Sequence, residues 1–388
     1  MTAWPTARCC HDEVGIKGER RLAFVISGME GASFSVNITK RSMLCWAATW
    51  RGILMVSIWR ETTIIAVAMA VLALSACNDT FLSQKPDQAL IRTSDPKSAT
   101  IKVPGPVASR LLPYALIAEQ TYHDEIYQGY SRHKAARAVS LCASPCKEGT
   151  EAAEVLSNWH LIFAQDGHFD GLPGLGVQIW VTRGKVCREA VIAFRGSETS
   201  QYGNWVSNLH WFSRMFGIKD QYKQVQDHIA AFIRDIEDDP CYGGNKTTIV
   251  AVGHSLGAGL AQHANYADGR IKRIYEFDPT FVTGSLDPGL PNRDANARGL
   301  VIERVYEHGE ILAFPRWVMR HLFLPATIDP CIILTRFNVI EGNVLRQHKI
   351  RTFDTKLLDT AYPDASSKGY APETETEADG LCSDRQSG

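Results

Sequence analysis

A serine framed by two glycines, Gly253-His254-Ser255-Leu256-Gly257, is the residue group in this chain best suited to chemistry. An apolar run, Thr248 to Val252, precedes it, and a small-residue helical run, Ala258 to Ala264, follows it. That is the strand–turn–helix setting of a nucleophile elbow, in which a tight turn lifts the serine hydroxyl above a sheet edge. The helix then aims its N-terminus at the reacting centre. A serine hydroxyl is a weak nucleophile alone. It needs a base, and the base needs an acid to orient it.

In folds built around such an elbow the chain order is serine, acid, histidine. The strand at 299–306 runs into Glu307-His308-Gly309-Glu310, so Glu310 lies just beyond the carboxyl end of a strand, where catalytic groups of open α/β sheets collect. A solvated loop glutamate is the plainer reading of that position. Asp278 competes with it, also just past a strand, although its Asp-Pro step serves equally as a turn initiator. For the base, His348 lies near the chain end, whereas His321 sits among Leu322, Phe323 and Leu324, a setting more typical of a packed histidine. Charge developing on a substrate oxygen calls for backbone N–H donors. One is expected from Leu256, after the nucleophile, and another from the loop Phe194-Arg195-Gly196-Ser197 that follows a buried strand.

The elements that must position these groups alternate between strand and helix. Strands are expected at 159–164, 176–182, 190–194, 271–277 and 300–306, with an amphipathic helix from Tyr222 to Ile236 burying Val225, Ile229, Phe232 and Ile236. A further helix at 108–122 is interrupted by Pro113. This alternation predicts an α/β domain with a mainly parallel sheet flanked by helices.

The upstream region carries a different signal. Thr62 to Ala76 is uncharged and mostly apolar, too short for a comfortable membrane span of ~20 residues, and suited to the apolar region of a secretory signal. It ends in Leu74-Ser75-Ala76-Cys77, which resembles a bacterial lipobox with Cys77 as the lipidated residue; a buried helix ending at an unrelated cysteine is the alternative. The expected organisation is therefore an upstream extension at 1–54 with initiation at Met55 or Met43, a signal peptide at 55–76, a polar tether at 77–106, the α/β domain at 107–372 and an unstructured acidic tail at 373–388. Such a protein is exported and lipid-anchored in the bacterial cell envelope.

The formal net charge of -1 supplies no basic field for nucleic acid. No cysteine spacing matches a zinc or haem site, and no residue implies a metal or a nucleotide, so no cofactor is expected. An exported chain can oxidise the six cysteines after Cys77; six allow 15 connectivities, and Cys142 with Cys146 is the favoured local pair.

Taken together, Val191 to Ser197 (VIAFRGS), Asn204-Trp205 and Gly253 to Ala258 (GHSLGA) resemble the class 3, fungal-type triacylglycerol lipase family, over roughly residues 159–354. The resemblance implies an α/β-hydrolase fold, Ser255 as nucleophile, Ser197 and Leu256 as oxyanion donors, and a lid around Trp205. It aligns Glu310 with the family's aspartate and His348 with its late histidine. Glu for Asp lengthens the acid arm by one methylene. Asn208 stands where the family usually has Asp, and Asp278 where it usually has a small or polar residue before proline.

The segment 204–218 spaces Trp205, Leu209, Phe212 and Phe216 as one helical face. Core packing is the default for such a stripe; an apolar lid that meets lipid is the functional reading. The implied activity is a serine esterase acting on a glyceride or related lipid ester through a Ser-His-Glu triad. Phospholipase A1 and short-chain esterase are the enzymatic alternatives, and a silent lipoprotein scaffold the non-enzymatic one.

Overall fold

The computed structural model describes residues 22–24, 36–38, 84–93, 99–124, 126–127, 151–169, 172–196, 219–280, 291–313, 330–363, 369–372 and 382. The chain divides into two compact units, Met1–Ala70 and Val71–Gly388. In the first, β1 (Leu22–Phe24) pairs antiparallel with β2 (Val36–Ile38).

The second unit is built on a nine-stranded sheet in the order β4-β3-β11-β10-β9-β8-β7-β6-β5. Its middle is five parallel strands, β7 (Glu189–Phe194), β8 (Thr248–His254), β9 (Ile271–Phe277), β10 (Val301–Glu307) and β11 (Cys331–Phe337). Antiparallel pairs close both sides: β5 (Trp159–Phe169) with β6 (Leu172–Thr182), and β3 (Ala89–Arg92) with β4 (Thr100–Lys102). The α/β class expected from the sequence holds, with the parallel part confined to the centre.

The central strands read as continuous apolar runs because both their faces are covered. On one face, Val191, Val250, Val252, Tyr275 and Phe337 pack with α1 (Pro104–Gln120), α2 (Glu151–Ser157) and the helix after β11, α7 (Ile350–Ala361). Tyr114 of α1 stacks on Tyr275 with ring centroids 4.0 Å apart. On the other face, Ile192, Phe194, Ala251 and Ile274 pack with α3 (Lys219–Glu237) and α4 (Leu256–Ala267). The stripe Val225, Ile229, Phe232 and Ile236 is the buried face of α3, as its spacing implies. A 3-10 turn at Gly244–Lys246 and two short helices, α5 (Arg293–Asn296) and α6 (Val344–Gln347), complete the described elements.

Three expectations are corrected. The segment 77–106 is not simply a tether, because β3 and β4 belong to the sheet and α1 begins at Pro104. Four-residue and three-residue strands inside a Pro/Ser/Thr-rich stretch leave little period-2 signal. The helix over 108–122 starts earlier and runs through Pro113, with a buried face from Val107 to Gln120 that outweighs one missing backbone donor. Within the acidic tail, Cys382 is buried and disulfide-bonded to Cys331, while a second bridge joins Cys187 to Cys241. Cys142 and Cys146 lie outside the described residues, as do Thr62 to Cys77 and the rest of the tail at 373–388. Among the described residues no helix is long and apolar enough to cross a membrane.

Candidate active site

Parallel strands deliver their carboxyl ends to one edge of the sheet. Five loops meet there: Arg195-Gly196 after β7, Ser255 after β8, Asp278 after β9, Glu310 after β10 and His348 after β11 with α6.

The elbow is a steric construction. Ser255 has φ 55° and ψ -118°, a sparsely populated backbone region whose strain is of order 1–3 kcal/mol. A Cβ on Gly253 would stand 2.2 Å from the Gly257 carbonyl carbon, and one on Gly257 would stand 2.2 Å from the Phe194 carbonyl oxygen. Both glycines are thus required by close backbone approach. The turn is held against β9, with the Ser255 N–H donating to the Phe277 carbonyl at 3.0 Å and the Thr280 N–H to the Ser255 carbonyl at 3.1 Å.

From this turn the Ser255 hydroxyl lies 3.2 Å from His348 Nε2, and His348 Nδ1 lies 2.9 Å from a Glu310 carboxylate oxygen. All three residues are buried, Glu310 completely. The same Glu310 oxygen accepts the Leu312 N–H at 2.8 Å, which fixes the carboxylate in the turn that Gly309 opens at φ 81°. The Ile311 N–H donates to the Val344 carbonyl at 3.2 Å and so locks the acid's loop to α6, which ends at His348. A carboxylate, an imidazole and a hydroxyl in line can move a proton off the hydroxyl and stabilise the imidazolium that results. The serine–histidine distance is at the long end of the ordinary range, as is common without substrate.

Asp278, the competing acid, is fully buried at φ 41° and accepts the Glu307 N–H at 3.2 Å. One of its oxygens, one His254 nitrogen and one His348 nitrogen lie within 4.8 Å of one another. The His348 Nδ1–H nonetheless bonds to Glu310, whose carboxylate accepts it. These three residues make a poor metal cage. Both His254 nitrogens and both His348 nitrogens already face hydrogen-bond partners, so a cation there would break the line to Ser255. The other close group, Cys187, Asp239 and Cys241, contains a disulfide.

Leu256 is the first residue of α4, a position whose N–H has no partner inside the helix. Arg195 is clamped before the second expected donor. Its guanidinium pairs with Asp166 of β5, one N–H at 3.0 Å, and lies 5.6 Å from the centre of the Tyr127 ring. Ser197, Trp205, Leu209 and Phe212 lie outside the described residues.

Two side chains escaped the sequence reading. Tyr122 stands at the end of the helix expected over 108–122, and His254 lies inside the elbow; neither position carries a local signal of its own. Tyr122 Oη lies 2.9 Å from His254 Nδ1. No local pattern marks that pair, which is brought together by the sheet.

No family model matches the chain, and no curated protein matches it. Similar solved structures include lipase II from Rhizopus niveus, 14% identical over 51% of this chain and 77% of that one, with a TM-score of 0.26. They also include the Rhizomucor miehei lipase propeptide complex, 15% identical over 58% of this chain and 68% of that one, with a TM-score of 0.31.

Proposed function

We propose that the chain is a serine hydrolase that cleaves carboxylic esters of lipids, of the glyceride type, through an acyl-enzyme. The observation that carries the proposal is the buried line Glu310–His348–Ser255 on a strained elbow. Ser255 Oγ attacks the ester carbonyl while His348 Nε2 takes its proton. Glu310 holds the Nδ1–H and stabilises the charged ring. The Leu256 and Ser197 N–H groups receive the oxyanion, and His348 returns the proton to the departing alcohol. Water then repeats the sequence on the acyl-enzyme. A non-catalytic scaffold has no use for the strain stored at Ser255, which supports the enzymatic reading.

The apolar face of Trp205, Leu209 and Phe212 is assigned to the acyl chain or lipid surface. Purified protein should hydrolyse p-nitrophenyl esters and a triglyceride emulsion. Faster cleavage of a phospholipid at its first acyl position would reassign it as a phospholipase A1, and activity confined to the shortest chains as a short-chain esterase. No hydrolysis of any of them contradicts the proposal.

Export and anchoring through Cys77 complete the reading. Two disulfides support an oxidising compartment. Cys77→Ala should move the protein out of the membrane fraction or block its maturation; unchanged partition with residues 1–54 retained in the mature protein contradicts the anchor.

A further inference from the structure

His254 is a buried histidine beside the nucleophile for which the proposed reaction has no task. Its Nε2 lies 2.8 Å from the His348 backbone carbonyl. A carbonyl oxygen only accepts, so Nε2 carries the proton. Burial, aided by the neighbouring His348, pushes the ring's pKa down to about 3, so the ring is neutral and Nδ1 is bare. A bare nitrogen only accepts, so the Tyr122 hydroxyl, 2.9 Å away, must donate to it. The same hydroxyl oxygen receives the Gly196 N–H at 3.1 Å.

The bonds therefore run in one direction: Gly196 N–H to Tyr122 Oη, Tyr122 O–H to His254 Nδ1, His254 Nε2–H to the His348 carbonyl. This chain starts one residue before Ser197, passes one residue before Ser255 and ends on the base. Its fit is close. A Cβ on Gly196 would stand 2.4 Å from Tyr122 Oη and 2.5 Å from the His254 carbonyl oxygen, so only glycine lets the hydroxyl lodge there. The Tyr122 and His254 rings meet edge-on, their centroids 5.8 Å apart.

We infer that Tyr122 is a positioning residue which, through His254, locks the oxyanion loop, the nucleophile turn and the catalytic histidine into one register. The inference rests on the hydrolase reading above. Because Tyr122 sets geometry for the reaction and not affinity for the ester, its removal should act on kcat.

Tyr122→Phe keeps the ring and removes only the hydroxyl. With a soluble p-nitrophenyl ester it should lower kcat about 10- to 30-fold, somewhat above one neutral hydrogen bond because two bonds are lost together, with KM unchanged. His254→Gln should also lower kcat, and the double variant should lose less than the product of the two single losses. Unchanged kcat in Tyr122→Phe, or losses that simply multiply, overturns the inference while Ser255-dependent turnover in the unaltered protein keeps the hydrolase reading. Absence of that turnover overturns both.

Should Tyr122→Phe fail to fold, imidazole ¹⁵N shifts of the unaltered protein decide. The His254 ring, assigned by its loss in His254→Gln, should stay a neutral Nε2–H tautomer from pH 5 to 8. A ring that titrates in that range, or carries its proton on Nδ1, overturns the chain.

Discussion

At the scale of residues, the question is which carboxylate serves His348. Glu310 and Asp278 are both buried at the same sheet edge, but their partners differ: Glu310 bonds the imidazole, and Asp278 bonds the Glu307 N–H. Glu310→Gln should leave the fold intact and lower kcat by about 10²- to 10⁴-fold, because an amide can hold the wrong tautomer of the ring. Asp278→Asn should cost far less kcat. The reverse order, measured as kcat in the two purified variants, would make Asp278 the acid. Both positions are legible as residues just past strands, and Glu310 is favoured by its loop position after Gly309 together with alignment to a family pattern. What the sequence hid was the second set of contacts. Tyr122 and His254 are 132 positions apart and meet only because the sheet assembles between them.

At the scale of elements, the elbow depends on how closely α4 approaches β7. Gly257→Ala puts a methyl 2.2 Å from the Phe194 carbonyl oxygen, a clash with backbone that no rotamer relieves. A loss of roughly 1–3 kcal/mol in urea unfolding is expected, together with most of the activity. Unchanged stability would mean that the helix is not packed this tightly. Strongly patterned elements were readable: the strand at 271–277 matches β9, and the Tyr222–Ile236 stripe matches α3. The short strands β3 and β4 and the last strand β11 were not, since β3 and β4 are only four and three residues long and β11 sits in a stretch where Thr335 and Arg336 break the apolar run. Those two polar side chains are buried, Thr335 donating to Glu303, so composition disguised a core strand.

At the scale of the whole molecule, buried ionisable groups set how stability varies with pH. Burial raises Glu307 to about 8 even though it accepts the Val339 and Ile340 N–H groups. The folded chain thus keeps a proton that the unfolded chain sheds near 4.5. That contribution is complete below about pH 4.5 and is lost as pH rises through about 8. His254 works in the opposite sense. Its contribution is complete above about 6.5 and is lost as pH falls towards about 3. From these two groups, melting temperature should be highest between about pH 4.5 and 6.5. Glu307→Gln, which mimics the protonated acid, should flatten the decline on the alkaline side, as thermal melts at a series of pH values would record. A decline of equal slope in the variant would show that Glu307 is not its source.

The central claim is that Ser255 is a nucleophile activated by His348. Its most direct test is covalent: the purified protein is treated with a fluorophosphonate probe, and the adduct is located by peptide mass spectrometry. A single adduct on Ser255 is expected, lost in Ser255→Ala and strongly slowed in His348→Ala, while folded Ser255→Ala protein no longer turns over any ester. A folded Ser255→Ala protein that retains ester hydrolysis, or a probe adduct on another residue, contradicts it.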